Sequence, residues 1–223
     1  MNAYRSHAKT GVVPVDAAVF DLGGVLIDWN PRHLYRRLFG GDVEGMERFL
    51  ADVCSPAWNA HQDAGRSWDE AIAEAVAAHP EHADLIRAFR ERWAEMLGGA
   101  LTDTVEILAE LRDHQVPLFA LTNWARDTFL IAQERYPFLQ WFKQVIVSGR
   151  EGMAKPSPAI FHLMLERCGL SAGSTLFIDD SIRNVEAASR VGLNALLYRN
   201  ARQLRRDLAG FGLPVWPVVE NRP

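Results

Sequence analysis

Apolar and polar residues divide the chain into three stretches of different rhythm. Ala17–Ile27, AAVFDLGGVLI, is an apolar run interrupted by one aspartate and two glycines. A run of this kind that breaks at glycine predicts a strand buried on both faces and ending in a tight loop. From Pro31 to about Leu97 the texture is helical, with no convincing strand. Pro31 opens a helix through HLYRRLF, Gly40 and Gly41 stop it, and Val43 to Val53 forms a second. Ser67, with Glu70 three residues on, is a capping box ahead of AIAEAVAA. Pro80 separates that helix from HADLIRAFRERWAEML, which sets Leu85, Ile86, Phe89, Trp93 and Leu97 on one face. Trp58 to Gly65, WNAHQDAG, reads as a connection between these helices.

From Leu101 onward helices alternate with short apolar runs. Thr102 to His114 precedes VPLFALT, Arg126 to Arg135 precedes QVIVS, Pro158 to Cys168 precedes STLFID, and Ile182 to Val191 precedes LNALLY. Such alternation predicts a mostly parallel sheet covered by helices on both faces. The first apolar run belongs with these four. The expected architecture is therefore an α/β core with a Rossmann-like parallel sheet, made of residues 1–30 and 98–223, with a helical domain inserted at 31–97. The tail from Phe211 to Pro223, with three prolines, reads as a loose surface arm.

At 223 residues the chain is long enough for one large domain with an insertion. Hydrophobic residues make up 48% and charged residues 23%, the balance of a folded globular chain. Lys and Arg total 24 against 28 Asp and Glu, and no basic stripe is present, which argues against nucleic acid as a partner. No apolar run approaches the length of a membrane span, and the first residues lack the apolar middle of a signal peptide, so a cytoplasmic protein without a membrane partner is expected. Cys54 and Cys168 read as separate buried thiols rather than a disulfide or metal pair.

In open parallel sheets ligands bind beyond the carboxyl ends of the strands. Asp21 follows AAVF, Thr122 and Asn123 follow LFAL, Lys155 lies in the loop after VIVS, and Asp179 with Asp180 follows TLFI. Singly, these are ordinary turn, cap and surface residues. Together they bring a carboxylate, a hydroxyl, a lysine and an acidic pair to one sheet edge. Two adjacent carboxylates repel, and a strand end that holds them calls for a compensating cation. A carboxylate can attack phosphorus and divide hydrolysis into two easier steps, provided that the meeting of two anions is offset electrostatically.

These segments, FDLGGVL, LTN, GMAKPSPAIF and FIDDSIRNVEAA, occur in the order of the four motifs of the haloacid dehalogenase-like hydrolase superfamily. The chain resembles the branch whose helical cap is inserted after the first strand. The resemblance implies a magnesium-dependent phosphatase acting on a small phosphorylated metabolite, with sugar phosphates as the broad default, through an aspartyl-phosphate intermediate. It makes Asp21 the nucleophile and Thr122 a hydroxyl donor to the phosphoryl group, with Asn123 assisting. Lys155 would balance charge on both. Asp21, the Gly23 carbonyl, Asp179 and Asp180 would hold Mg2+, and Asn184 would support them from the next helix. A monomer or homodimer fits equally.

The chain departs from the pattern at one position. Most phosphatases of the superfamily carry Asp two residues after the nucleophile as acid and base, and here that position is Gly23. Asp28, His61 and Asp63 are candidates to stand in. The same gap admits a 2-haloacid dehalogenase using Asp21, because halide leaves without a proton, although that reaction is disfavoured by adjacent acids at Asp179 and Asp180. A weakly active member that binds a phosphorylated ligand or a protein is the third reading. Trp58, Trp68 and Trp93 are either cap core or a substrate-stacking surface, and Trp58 to Gly65 is the expected place of substrate contact.

Overall fold

The computed structural model describes residues 14–216, so the N-terminal leader and the end of the proline-bearing tail lie outside the described residues. The elements run β1 (Ala17–Phe20), β2 (Ile27–Trp29), α1 (Arg32–Leu38), α2 (Val43–Asp52), α3 (Pro56–Asp63), α4 (Trp68–Ala78), α5 (Ala83–Glu91) and β3 (Leu97–Ala100). There follow α6 (Thr102–Asp113), β4 (Leu118–Thr122), α7 (Arg126–Arg135), β5 (Gln144–Val147), α8 (Ser148–Glu151), α9 (Pro158–Cys168), β6 (Thr175–Asp179), α10 (Ile182–Arg190), β7 (Asn194–Leu197) and α11 (Ala201–Gly210).

Five strands form one parallel sheet in the order β5-β4-β1-β6-β7. Successive side chains of a strand point to opposite faces, and here both faces are covered. Ala18, Phe20, Ala120, Leu176 and Ile178 join one buried cluster, whereas Val19, Leu121 and Phe177 join the other with Ile160, Phe161 and Met164 of α9. That is why β1, β4 and β6 read as unbroken apolar runs. Their order puts β1 at the centre, with the ends of β4 and β6 on either side of Asp21.

The apolar run at Ala17–Ile27 is not one strand. β1 stops at Phe20, and the chain turns so that Leu22 O accepts from the N–H groups of Leu26 and Ile27 at 2.8 and 2.9 Å. β2 then pairs antiparallel with β3, Ile27 opposite Ala100 and Trp29 opposite Leu97. This ribbon joins the two ends of the helical stretch. β3 escapes sequence reading because Gly98 and Gly99 give it no strand-like pattern.

The helices between Arg32 and Glu91 follow the expected starts and stops, including the Ser67 Oγ cap on the Glu70 N–H at 3.2 Å. Two corrections stand out. Most of Trp58 to Gly65, expected as a connection, lies in the helix Pro56–Asp63, with Ser55 as its cap and Pro56 at its first turn. The segment HADLIRAFRERWAEML is divided, because short 3-10 turns at Pro80–His82 and Trp93–Met96 flank α5. Ile86, Phe89, Trp93 and Leu97 are buried as expected, and Leu85 is half-buried.

The described part of the tail is packed rather than loose. Leu213 is buried, the Trp216 N–H donates to Glu110 at 3.0 Å, and Arg205 bridges to Glu110 at 2.5 and 2.7 Å. Cys54 is buried and Cys168 half-buried, and both thiols are free. Among the described residues no helix is long and apolar enough to cross a membrane.

Candidate active site

Asp21 sits one residue past the central strand, where its backbone N–H still donates to Ile178 O of β6 at 2.8 Å. Its carboxylate is oriented by two donors on Oδ1, the Leu22 N–H at 2.7 Å and Lys155 Nζ at 3.0 Å. Lys155 lies fully inside the protein, contrary to the usual exposure of lysine. Its ammonium also contacts Asp179 Oδ2 at 2.7 Å and donates to Leu121 O at 2.9 Å, so all three of its protons have partners. The two acids raise the Lys155 pKa against the opposing effect of burial, and the ammonium stays charged.

Asp179, the last residue of β6, is completely buried. Its Oδ1 accepts from the Ser181 N–H at 2.8 Å, and Asn184 Nδ2 donates to Oδ1 and Oδ2 at 3.0 and 3.1 Å. Asn184 reaches it from the first turn of α10. Asp180 is exposed on the cleft side. Carboxylate oxygens of Asp21, Asp179 and Asp180 lie within 4.8 Å of one another. Gly24 makes this approach possible. Its φ is +75°, and a Cβ there would run into the Asp180 carboxylate.

Three carboxylates around one ammonium leave the cluster with an excess of negative charge. Burial pushes the Asp21 pKa up to about 8 against the lowering effect of Lys155, with Asp179 and Asp180 adding repulsion. Burial and Asp179 raise Asp180 as well. An all-oxygen donor set with unbalanced charge suits a hard divalent cation.

Thr122 is buried at the end of β4. Asn123, next to it, spends its side chain on the backbone of Lys155: Nδ2 donates to Lys155 O and Oδ1 accepts from Lys155 N, both at 2.9 Å. The amide thus fixes the loop that carries the lysine, a task that sequence reading did not assign to it. The sheet edge brings together Asp21, Gly23, Thr122, Asn123, Lys155, Asp179 and Asp180, with Asn184 behind.

A cleft of about 620 Å³ opens above this edge, with Asn123, Asp180 and Ser181 at its floor. Its walls come from the helical segment and include Asn59, Asp63, Leu50, Cys54 and Phe89. A smaller cavity of about 60 Å³ joins Gly23 and Asn123 to Asn59, Asp63, Trp93 and Trp124. Within WNAHQDAG, therefore, Asn59 and Asp63 face the cleft. Trp58 instead packs edge-on against Trp68 and Phe89, with ring centroids at 5.9 and 5.2 Å, and His61 is exposed. Trp68 is buried, and Trp93, also buried, packs at a tilt of 52° against Trp124. Asp28 is engaged elsewhere, its Oδ2 lying 2.9 Å from His33 Nε2. Trp29 and Arg32, which also line the cleft, carried no signal in sequence.

Comparison with known proteins follows the same lines. The sequence profile of a hydrolase family, the haloacid dehalogenase-like hydrolases, matches residues 15–192. The chain is 27% identical over 185 residues to the sesquiterpene phosphatase astK of Aspergillus oryzae, covering 81% of this chain and 88% of that one. In structure it is similar to a haloacid dehalogenase family enzyme of Bacteroides thetaiotaomicron solved with magnesium and inorganic phosphate, at a TM-score of 0.63 and 23% identity over 83% of this chain and 95% of that one. An L-2-haloacid dehalogenase aligns at a TM-score of 0.62 and 24% identity over 82% of this chain and 86% of that one.

Proposed function

The chain belongs to the haloacid dehalogenase-like hydrolases, and from that premise we propose that it hydrolyses a small phosphate monoester through a phosphoryl group carried on Asp21. The observation that supports this reading best is the buried Lys155 ammonium, held between Asp21 at 3.0 Å and Asp179 at 2.7 Å with Asp180 beside them. A haloacid is itself a carboxylate and would be repelled by this acidic group, whereas a cation held there would attract a phosphate.

In the first step an Asp21 oxygen attacks phosphorus and the ester oxygen leaves. In the second, water attacks the same phosphorus and Asp21 is restored. Lys155 balances charge on Asp21 and on the incoming phosphate, while the Thr122 hydroxyl and the Asn123 backbone donate to phosphoryl oxygens. Asn123 holds the Lys155 loop in register, and Asn184 keeps the Asp179 carboxylate turned toward the cluster. Asp21, Asp179, Asp180 and the Gly23 carbonyl would hold Mg2+, which when bound offsets the negative charge gathered around the phosphoryl group. Residues 31–97 serve as a cap over the core on either side of them in the chain, closing the cleft around the substrate and excluding water.

The substrate is a small phosphorylated metabolite. Sugar phosphates remain the broad class to assay, while the cleft walls at Leu50, Cys54 and Phe89 favour members with an apolar part. The reading is tested by phosphate release from p-nitrophenyl phosphate and a panel of sugar and prenyl phosphates, with magnesium and with chelator, in wild type and Asp21→Asn. Magnesium-dependent release that is lost in the variant supports it. Chloride release from 2-chloropropionate in chelator, with no phosphate release, overturns it.

A further inference from the structure

A phosphate ester of an ordinary alcohol leaves as a strongly basic alkoxide unless a proton is delivered as the bond breaks. In this chain the residue two positions beyond the nucleophile is Gly23, which can deliver none. We infer that Asp63, from the helical insertion, is the general acid and base of the reaction proposed above, on which this inference rests.

Among the described residues, Asp63 is the carboxylate outside the Asp21, Asp179 and Asp180 cluster that lines a cavity with Gly23. It lines the small cavity with Gly23 and Asn123 and also the larger cleft with Asp180 and Ser181. Asp63 is the last residue of α3, and its placement is fixed from both sides. Asn59, one helical turn back, donates to Oδ2 at 3.0 Å, and the Ala125 N–H at the head of α7 donates to the carboxylate. Its own backbone carbonyl accepts from Ser148 Oγ at 2.5 Å, and Ser148 accepts in turn from the Trp124 N–H at 2.9 Å. Two residues on, Gly65 has a φ of +103° and lies so close to Gly152 that an added Cβ would meet the Gly152 Cα at 3.3 Å. The insertion is thus docked on the core at Asp63, and the docking points a half-buried carboxyl at the space beside the nucleophile.

The electrostatics agree with the role. Burial raises the Asp63 pKa to about 7, against the lowering effects of the Ala125 N–H and the Lys155 charge. A carboxyl in that range is present in both forms near neutrality, as a group that first gives and then takes a proton must be. When Asp21 attacks, the bond from phosphorus to the ester oxygen breaks, its electron pair goes to that oxygen, and the Asp63 proton goes with it to release the neutral alcohol. When water attacks the aspartyl phosphate, the Asp63 carboxylate takes the proton from water. The electron pair of the breaking bond to phosphorus returns to Asp21, and inorganic phosphate departs.

The test compares p-nitrophenyl, phenyl and benzyl phosphates, which are similar in shape but differ in leaving-group basicity. In wild type, kcat/KM should vary little along the series, because protonation masks basicity. In Asp63→Asn, which keeps both hydrogen-bond acceptor and shape, kcat/KM for benzyl phosphate should fall about 10²–10⁴-fold, with p-nitrophenyl phosphate changed less than about 10-fold. The variant should also show a burst of nitrophenolate, since the aspartyl phosphate forms but water is no longer activated.

Equal losses on all three esters without a burst would make Asp63 a docking residue and overturn the inference while leaving the phosphatase reading intact. A wild-type enzyme whose kcat/KM falls steeply from nitrophenyl to benzyl phosphate would overturn it without any variant. Wild type that releases phosphate from none of the esters, nor from the sugar and prenyl phosphates, would remove the phosphatase reading and this inference together.

Discussion

Replacing Lys155 by Met removes an ammonium that no water reaches and leaves a side chain of similar length in its place. Lys155 has a side-chain exposure of 0%, as does Asp179, and Asp21 has 11%. The variant therefore strands two carboxylates that are held close together by β1 and β6 and cannot turn toward solvent without unmaking the sheet edge. Leu121 O loses its Nζ donor as well. Breaking a buried pair by removing one partner costs about 3–5 kcal/mol. For a chain of this size that corresponds to a fall in Tm of roughly 6–20 °C.

The loss should depend on pH in a definite direction. With the ammonium gone, Asp21 loses the Lys155 charge that lowers its pKa, so its folded value rises further above the unfolded one and the folded state binds more protons than the unfolded chain. Stability then falls as pH rises between the unfolded and folded values. Asp21 lies at about 8 even with Lys155 present, so wild type and variant lose stability in parallel up to that pH and diverge above it, where wild-type Asp21 has ionised and the variant's has not. Urea denaturation in chelator should show the larger penalty near about pH 9 and a smaller one near about pH 6. A loss below about 1 kcal/mol, the scale of an exposed ion pair, or one that does not shrink on acidification, would refute the reasoning.

Other substitutions test separate parts of the account. Asn123→Ala removes both hydrogen bonds to the Lys155 backbone. It should cost about 1–3 kcal/mol in denaturation and lower kcat more than it raises KM. Gly24→Ala forces a side chain at φ +75° into the Asp180 carboxylate. It should lower stability by roughly 1–2 kcal/mol and raise the magnesium concentration for half-maximal activity. Phe89 meets the rings of Tyr35, Trp58 and Trp68, so Phe89→Ala should cost about 3–5 kcal/mol by thermal denaturation while leaving the core sheet folded by circular dichroism.

The sheet was legible because burial on both faces leaves no polar residue to hide its strands. Leu118–Thr122 and Thr175–Asp179 read as apolar runs that end in chemistry. The residues at those ends were found for the same reason, since an Asp or Thr that follows such a run has little place except the sheet edge. What escaped depended on long-range packing. β3 is LGGA and becomes a strand only because β2 lies opposite it. α3 is PAWNAHQD, polar enough to read as a connection, although Ser55 and Pro56 marked its start. The helix Ala201–Gly210 was not anticipated, its buried positions being few, with Leu204 and Leu208 in the core. Asp63 could be suspected but not chosen over Asp28 and His61, because what distinguishes it is the docking of α3 against Ser148 and Ala125.

The central claim is that Asp21 carries the phosphoryl group, and the most direct measurement is chemical trapping during turnover. Wild type is mixed with magnesium and p-nitrophenyl phosphate, quenched in acid, reduced with borohydride and digested for peptide mass analysis. Reduction of an acyl phosphate converts the aspartate to homoserine, so the expected result is homoserine at position 21, dependent on substrate and enriched in Asp63→Asn. Turnover with Asp21 unmodified and another residue reduced, or with none reduced in either protein, would contradict the account.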